Sequence, residues 1–298
     1  MPIRNVGTLL ENIVLIEAAK LAFEDWGKSA KFASAFAMPP LSPWRPHSND
    51  ARFDAEFIAR RTASTQPSDD YAGLLATCMR SDPSLGPSGA LLVGVLARRL
   101  RVDVRWWLND LDVGAHYEGA LSGIRRFHEI VAKLEPSDVA SVPVVACGEP
   151  YPDSLRSLEA TVQAWADEEH ASSVHLGFLD PMRYTIDGAA GPQTSSEDHR
   201  AWLRTLRTGC KGLCVSVHFT GHRQWTTLRP EVEHLRRDGH VEGYAGSLTA
   251  WHSYYATTVS VAHPTPGVAE EFLATLRGRL PTAWRAWCGT KPLALTLV

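Results

Sequence analysis

The sequence lacks several features that would place it in a special class of protein. No stretch of the 298 residues approaches the roughly 18 uninterrupted apolar residues of a membrane span. The net charge of −3 lacks the basic excess of many nucleic-acid-binding proteins, so a nucleic-acid partner would need a local basic surface. Cysteines are few, odd in number and scattered, which argues against a disulfide framework and for reduced thiols. They are Cys78, Cys147, Cys210, Cys214 and Cys288.

A secretory signal, an internal repeat and a long low-complexity linker are also missing. Residues 1–5 lead into a segment that contains Glu11 and Glu17 instead of an apolar signal core, so we expect a cytoplasmic protein. The composition, 44% hydrophobic and 21% charged, is that of an ordinary globular protein. We therefore predict one domain over residues 1–298, with a helical insertion at about residues 47–85.

The periodicity of the chain predicts an α/β protein. Apolar runs typical of strands alternate with helical patterns, which favours right-handed βαβ units and a mostly parallel central sheet with helices on both faces. Residues 39–46 hold four prolines and cannot be helical, and residues 86–89 are predicted to form a sharp turn. Strands are predicted at 31–37, 102–108, 142–146, 174–179, 212–219, 254–262 and 293–298. Helices are predicted at 7–26 (amphipathic), 50–61, 90–100, 119–134, 151–166, 199–207, 229–237 and 266–280.

Ligands of an open parallel sheet bind outside the carboxyl ends of its strands, so the residues just after each strand are the candidate site residues. Three of these segments carry acids or glycine next to a strand end. They are Asn109-Asp110-Leu111-Asp112, Cys147-Gly148-Glu149 and Asp180-Pro181-Met182-Arg183-Tyr184. The first strand ends instead in a run of small and apolar residues from Ser34 to Pro40.

The order of four motifs resembles that of class I S-adenosylmethionine (SAM) methyltransferases. These motifs are the Pro-Ser-Gly turn at 87–89, the acidic strand end at 109–112, the Asp-Pro loop at 180–181 and the Val-Ala-His-Pro segment at 261–264, which precedes Trp284 and Trp287. The chain looks most like the bacterial large-subunit ribosomal RNA adenine methyltransferases of the RlmJ type. The resemblance implies a Rossmann-like class I methyltransferase fold, SAM as cofactor and an exocyclic amine of a nucleobase as acceptor.

The resemblance also implies a set of cofactor-binding residues. Asp110 matches the acidic residue that holds the ribose hydroxyls, because a carboxylate accepts two short hydrogen bonds. A carboxylate at 110 or 112 that merely caps the next helix is the alternative. Ser88 and Gly89 would offer donors to the cofactor carboxylate, or would only connect two elements. Ser34 and Gly148, at their strand ends, complete the predicted set.

The segment after Leu179 resembles the Asp-Pro-Pro-Tyr loop of amino-methyltransferases. In that loop Asp180 and the Pro181 carbonyl would accept hydrogen bonds from the amine, and Tyr184 or Arg183 would stack on a flipped base. Met182 replaces the second proline, and the aromatic residue comes one position late, so Arg183 stands where the ring is expected. Plain turn chemistry is the alternative for an Asp-Pro pair.

The largest departure from the family lies after the first strand. The family has an acid and a glycine-rich turn there, whereas residues 34–40 contain neither. A second hypothesis follows: a protein that keeps the methyltransferase fold, has lost the cofactor site and acts as a binding or scaffold protein.

Two other groups of residues have alternative explanations. Cys210, Cys214, His218 and His222 recur every four residues and would share one face of a helix, but this segment is predicted to be a strand, over which they would not converge on zinc. No metal site is predicted. Arginines 98, 99, 101, 105, 125, 126, 200, 204 and 207 would form a local phosphate-binding surface for a nucleic acid, or simply solvated helix faces.

Overall fold

The structure is a computed structural model that describes residues 6–27, 29–37, 40–43, 68–80, 82, 85–110, 127, 129–136, 144–166, 171–180, 194–219, 225–253 and 255–298. The helices with both ends among these residues are α1 (Val6–Asp25), α2 (Tyr71–Met79), α3 (Gly89–Arg99), α4 (Leu155–Ala166), α5 (Ser196–Arg207), α6 (Trp225–Val241) and α7 (Val268–Cys288). Residues 129–134 are also helical, within the helix predicted at 119–134. The strands are β1 (Ser29–Ser34), β2 (Leu41–Pro43), β3 (Leu85–Pro87), β4 (Asp103–Asn109), β5 (Val144–Cys147), β6 (Ser173–Leu179), β7 (Leu213–Phe219), β8 (Gly246–His252), β9 (Tyr255–Ala262) and β10 (Ala294–Leu297).

The described residues form one eight-stranded sheet in the order β10-β8-β9-β7-β6-β1-β4-β5, and β2 pairs with β3 separately. Strands β5, β4, β1, β6 and β7 are parallel to one another. In chain order these five strands lie as 3-2-1-4-5, the arrangement of a Rossmann-like fold, and the order reverses between β1 and β6. The prediction of an α/β, Rossmann-like fold with a mostly parallel central sheet is therefore confirmed.

The far side of the sheet departs from the predicted βαβ pattern. Strand β8 was not predicted, and it forms an antiparallel hairpin with β9 through a turn at Ser253, whose φ is +53°. Strand β9 inserts between β7 and β8 and runs antiparallel to both, and β10 adds an antiparallel edge. Ser247 and Thr249 are buried, so both faces of β8 are covered and its sequence lacks the alternation that marks a half-exposed strand.

The helices cover the sheet in two layers. Helices α1, α3 and α7 pack on one face, while α4, α5 and α6 lie on the other. The neighbouring residues Trp106 and Trp107 point to opposite faces, as the strand prediction requires, with Trp106 against Phe32 and Trp107 against Trp202. Among the described helices, none is long and apolar enough to cross a membrane.

Helix α1 is more deeply buried than its predicted amphipathic pattern implies. Its apolar residues from Leu9 to Phe23 are almost completely inaccessible, and Glu11 and Glu17 are buried as well. The helix packs against α7, α3 and the sheet at once, so no face of it is a solvent face. Burial raises the pKa of Glu17, an effect that nearby Lys20 opposes.

The segment before β4 also differs from its prediction. Residues 85–87 are not a turn but strand β3, and Ser88 is the N-cap of α3, with its Oγ accepting a hydrogen bond from the Leu91 N–H at 3.2 Å. Helix α2 lies within the predicted helical insertion, although no helix bounds were predicted there. Its N-cap is Asp70, whose side chain accepts a hydrogen bond from the Gly73 N–H. The helix predicted at 50–61 lies outside the described residues, so the predicted insertion is described only in part.

Candidate functional site

The point where the strand order reverses lies beside the end of β1. Ser34 pairs with Leu108 of β4 on one side and with Phe178 of β6 on the other. Two residues beyond these partners, Asp110 and Asp180 follow their strands, so the two acids flank the carboxyl end of β1. Asp110 and Asp180 are two inter-strand spacings apart, a distance of about 10 Å. Both side chains are half-buried.

The turn after β1 is held by its two neighbours. The Ala35 N–H donates to the Phe178 carbonyl at 3.2 Å, and the Ala37 N–H donates to the Asn109 carbonyl at 2.8 Å. The Asn109 side chain also donates through Nδ2 to the Ala35 carbonyl at 3.0 Å. Two main-chain donors of this turn are thus engaged by the protein, which is not the open arrangement that a glycine-rich loop gives.

Two polar atoms near the carboxyl end of β1 have no hydrogen-bond partner within the described part of the chain. They are Ser34 Oγ and Asn109 Oδ1, and both residues are almost completely buried. Buried polar atoms in native proteins nearly always have a partner, so each such atom calls for an explanation. Their place beside Asp110 and Asp180 makes this edge the candidate site.

The N-terminus of α3 packs close to Ser34. A Cβ at Gly89 would lie 2.9 Å from Leu15, 3.2 Å from the Phe178 ring and 3.4 Å from Asn12 Oδ1. Because Phe178 pairs directly with Ser34, the start of α3 and Ser34 share one face of the sheet. Close packing therefore explains why residue 89 is a glycine, and the N-cap hydrogen bond explains why residue 88 is a serine. The predicted contact of these two residues with a cofactor stays a prediction.

The remaining predicted site residues are distributed unevenly. Gly148 is exposed just after β5, the outer strand, two strands from β1, while the Asp110 N–H donates to the Cys147 carbonyl at 3.1 Å. Pro181, Met182, Arg183 and Tyr184 lie outside the described residues, as does Asp112. The structure therefore brings together Ser34, Asp110 and Asp180, but leaves the stacking residues as predictions.

A buried chain of polar side chains lies behind the end of β7, on the face that α5 and α6 cover. Asp238 Oδ2 is 3.2 Å from His199 Nδ1, and His199 Nε2 is 3.2 Å from His218 Nε2. His218 pairs with Leu179, the residue before Asp180. Ser216 Oγ lies 2.8 Å from His218 Nε2 and accepts a hydrogen bond from Trp202 Nε1.

The protonation of this chain follows from its geometry. Asp238 also accepts hydrogen bonds from Ser196 Oγ and Arg200 Nε, so it is a satisfied carboxylate. Burial lowers the pKa of His199, although the hydrogen bond to Asp238 opposes this effect. Burial and the neighbouring His199 lower the pKa of His218 well below its usual value. Both rings are therefore neutral near pH 7.

These buried polar side chains were not predicted, although the sequence contains a signal for them. His199 begins the buried stripe of α5, followed by Trp202, Leu203 and Leu206 at helical spacing. Asp238 lies on the same buried face of α6 as Leu235, three residues earlier. A polar residue at a core position of an amphipathic helix requires a buried partner, and that rule identifies both residues.

The alternating Cys/His segment does not converge. Cys214 and His218 lie on β7 four residues apart, which is about 13 Å along a strand. Cys210 contacts Cys214, whereas His218 contacts His199, and His222 lies outside the described residues. Within the part of the chain that the structure describes, no three potential ligands form a metal cluster.

Several of the arginines predicted as a phosphate-binding surface pair with acids. Arg99 binds Glu135, Arg200 binds Asp238 and Arg204 binds Glu242. Arg125 and Arg126 lie outside the described residues. The pairing reduces the positive charge that this set offers, so a nucleic-acid partner stays a prediction.

Comparisons with known proteins support the fold more than the function. No protein-family model matches the chain, and no curated protein does. Among solved structures, protein LPL1258 of Legionella pneumophila strain Philadelphia 1, described as a member of family DUF519, aligns over 99% of this chain and 98% of its own with a TM-score of 0.55 and 11% identity. SMU.776, described as a proposed methyltransferase in complex with S-adenosylhomocysteine, aligns over 82% of this chain and 48% of its own with a TM-score of 0.36 and 10% identity.

Proposed function

We propose that this chain is a SAM-dependent methyltransferase that modifies an exocyclic amine, most naturally that of a nucleobase. The observation that carries the proposal is the position of Asp110 and Asp180 on either side of the β1 end, where the strand order reverses. Open α/β sheets bind their ligands at this point. Two buried polar atoms that have no hydrogen-bond partner among the described residues, Ser34 Oγ and Asn109 Oδ1, lie at the same end of the sheet.

The residues at this edge fit SAM through their side chains. SAM, when bound, supplies the electrophilic methyl group. The Asp110 carboxylate is suited to the ribose hydroxyls, and the Ser34 hydroxyl to the polar amino-acid end of the cofactor. Because the Ala35 and Ala37 N–H groups bond to neighbouring strands, this chain would hold a cofactor with fewer main-chain contacts than a glycine-rich loop provides.

Asp180 is the residue best placed to orient the acceptor. Its carboxylate, together with the Pro181 carbonyl, would accept hydrogen bonds from the two N–H groups of an amine and so fix the direction of the nitrogen lone pair. Tyr184 or Arg183 would stack on a base, since an arginine plane stacks on bases as an aromatic ring does. The amine requires no dedicated base, because its proton can pass to water after transfer.

A second candidate is a binding protein that retains the fold without the chemistry. The closed turn at residues 35–37 and its lack of glycine favour this alternative. In that case Ser34 and Asn109 would be remnants of a lost site, and the protein would act through its surface.

Transfer of a labelled methyl group from SAM distinguishes the two candidates. The acceptors are unmodified RNA, DNA and small amines, each offered to the wild-type protein, to Asp180→Asn and to the control Asp153→Asn, whose residue is exposed before α4. We expect transfer by the wild type and the control, with a loss of about a hundredfold or more in Asp180→Asn because orientation of the nucleophile is removed. Absence of transfer to every acceptor by a folded protein would favour the binding protein.

A further inference from the structure

A pocket of about 350 Å³ opens where α5 ends and β7 begins, at the end of the sheet opposite to the candidate site. Cys210 and Cys214 both line it, and Arg204, Arg207 and His263 lie around it. Cys210 is partly exposed, whereas Cys214 is only 1% exposed. The pocket thus gives solvent access to one thiol that is next to a second, buried one.

The backbone between the helix and the strand brings the two thiols together. Gly209 has a φ of +72°, a conformation that glycine adopts without strain, and it reverses the chain after α5. The Cys210 N–H donates to the Arg207 carbonyl at 3.1 Å. Gly212 lies so close to β6 that a Cβ would meet the Ser173 carbonyl oxygen at 2.0 Å. These constraints hold Cys210 over the start of β7.

The hydrogen-bond directions around Cys214 can be assigned from one fixed donor. The Tyr244 hydroxyl donates to the Leu203 carbonyl at 3.0 Å, so at its 3.3 Å contact with Cys214 it must accept the S–H proton. Cys214 is also joined to Cys210 by a side-chain hydrogen bond. Burial is the main reason that the pKa of the Cys214 thiol is raised well above its usual value, so this sulfur stays protonated until a partner sulfur reacts.

We propose that Cys210 and Cys214 form an oxidation site that hydrogen peroxide converts into an intrachain disulfide. Peroxide transfers one oxygen atom to the Cys210 sulfur, which gives a sulfenic acid and one water. The Cys214 sulfur then attacks the Cys210 sulfur; the S–S bond forms, the S–O bond breaks, and hydroxide leaves with the Cys214 proton as a second water. Two thiols are oxidised to one disulfide, and one peroxide is reduced to two waters.

The other three cysteines provide the contrast. Cys78 and Cys147 are buried, and Cys288 is partly exposed in the last turn of α7. Cys288 therefore resembles Cys210 in exposure and serves as the matched control. The proposal does not depend on the proposed methyltransferase activity, because the pocket lies at the amino end of β7 and the candidate site at the carboxyl ends of the strands.

Peptide mapping tests the proposal directly, because Lys211 separates the two cysteines. Trypsin cleavage after Arg207, Lys211 and Arg223 puts Cys210 in residues 208–211 and Cys214 in residues 212–223. After peroxide treatment of the folded wild-type protein and alkylation of free thiols, we expect these two peptides to appear linked and to separate on reduction. The intact protein should lose two hydrogen atoms.

Three variants complete the experiment. Cys210→Ser should abolish the linked peptides and leave Cys214 as a free thiol, because this sulfur is buried. Cys214→Ser should leave Cys210 as a higher oxide. Cys288→Ser should behave as the wild type. The proposal is overturned if wild-type Cys210 is recovered unreacted or as a sulfinic acid beside a free Cys214. It is equally overturned if a disulfide to another cysteine predominates.

Discussion

The buried histidines should make the stability of the protein depend on pH in a direction that the structure fixes. His199 and His218 are inaccessible to solvent, and burial is the main reason that the pKa of each is lowered. The unfolded chain protonates them near the ordinary value of about 6.5, whereas the folded protein does not. Their contribution to stability is therefore complete above about pH 6.5 and is lost as the pH falls below it.

The magnitude follows from the number of protons involved. When the pH falls from about 7.5 to about 5.5, each histidine that stays neutral in the folded state lowers the free energy of unfolding by about 1.4 kcal/mol. His218 should contribute close to this value, and His199 up to the same amount. Glu17 acts in the opposite direction, because a carboxyl group with a raised pKa stabilises the folded state as the pH falls. A comparison between variants removes the contribution of Glu17.

The assay is urea unfolding at these two pH values for the wild type, for His218→Gln and for His240→Gln. Glutamine cannot titrate, so His218→Gln should lose about 1.4 kcal/mol less than the wild type between the two pH values. His240 is exposed on α6, outside the buried polar side chains around His218, so its replacement is the control. Equal losses in the wild type and His218→Gln would show that His218 does not stay neutral in the folded protein.

Two further predictions concern stability. Gly89→Ala should lower the free energy of unfolding by about 1–3 kcal/mol, because the new Cβ would press on Leu15 and Phe178. Gly278→Ala in α7 should raise it by up to about 1 kcal/mol, because a Cβ there meets no described atom within 4 Å beyond its own helix backbone. Thermal unfolding of the two variants checks both values, and equal effects would contradict the packing described for Gly89. Ser88→Ala should cost about 1 kcal/mol through loss of the α3 N-cap, while Ser88→Asp should retain most of it; a neutral Ser88→Ala would contradict the assigned capping bond.

The sequence predicted the parallel strands and also β9 and β10, but it missed the antiparallel strand β8 for a physical reason. Strands β4, β6 and β7 are apolar runs bounded by helical patterns, and the burial of both sheet faces produces such runs. Strand β8 carries Ser247 and Thr249 in the interior, where Thr249 bonds to Thr258, so its polar residues resemble those of a loop. Glu11 and Glu17 similarly made α1 look like a surface helix.

The candidate site was only partly predictable. The rule that ligands bind at strand ends selected Asp110 and Asp180, and the register of β1 places them on either side of it. The same rule selected Gly148, which belongs to the outer strand. Ser34 Oγ and Asn109 Oδ1 have no hydrogen-bond partner within the described ranges, and this feature depends on packing between distant segments, which no local pattern in the sequence encodes.

Calorimetric titration with SAM and S-adenosylhomocysteine tests whether the carboxyl end of β1 is a cofactor site. The proteins to compare are the wild type, Asp110→Ala and Asp103→Ala, whose exposed residue stands at the other end of the same strand. We predict binding by the wild type and Asp103→Ala, and affinity at least about tenfold weaker in Asp110→Ala, because charge-assisted hydrogen bonds are lost. No binding by any folded sample, or equal binding by all three, would contradict the account.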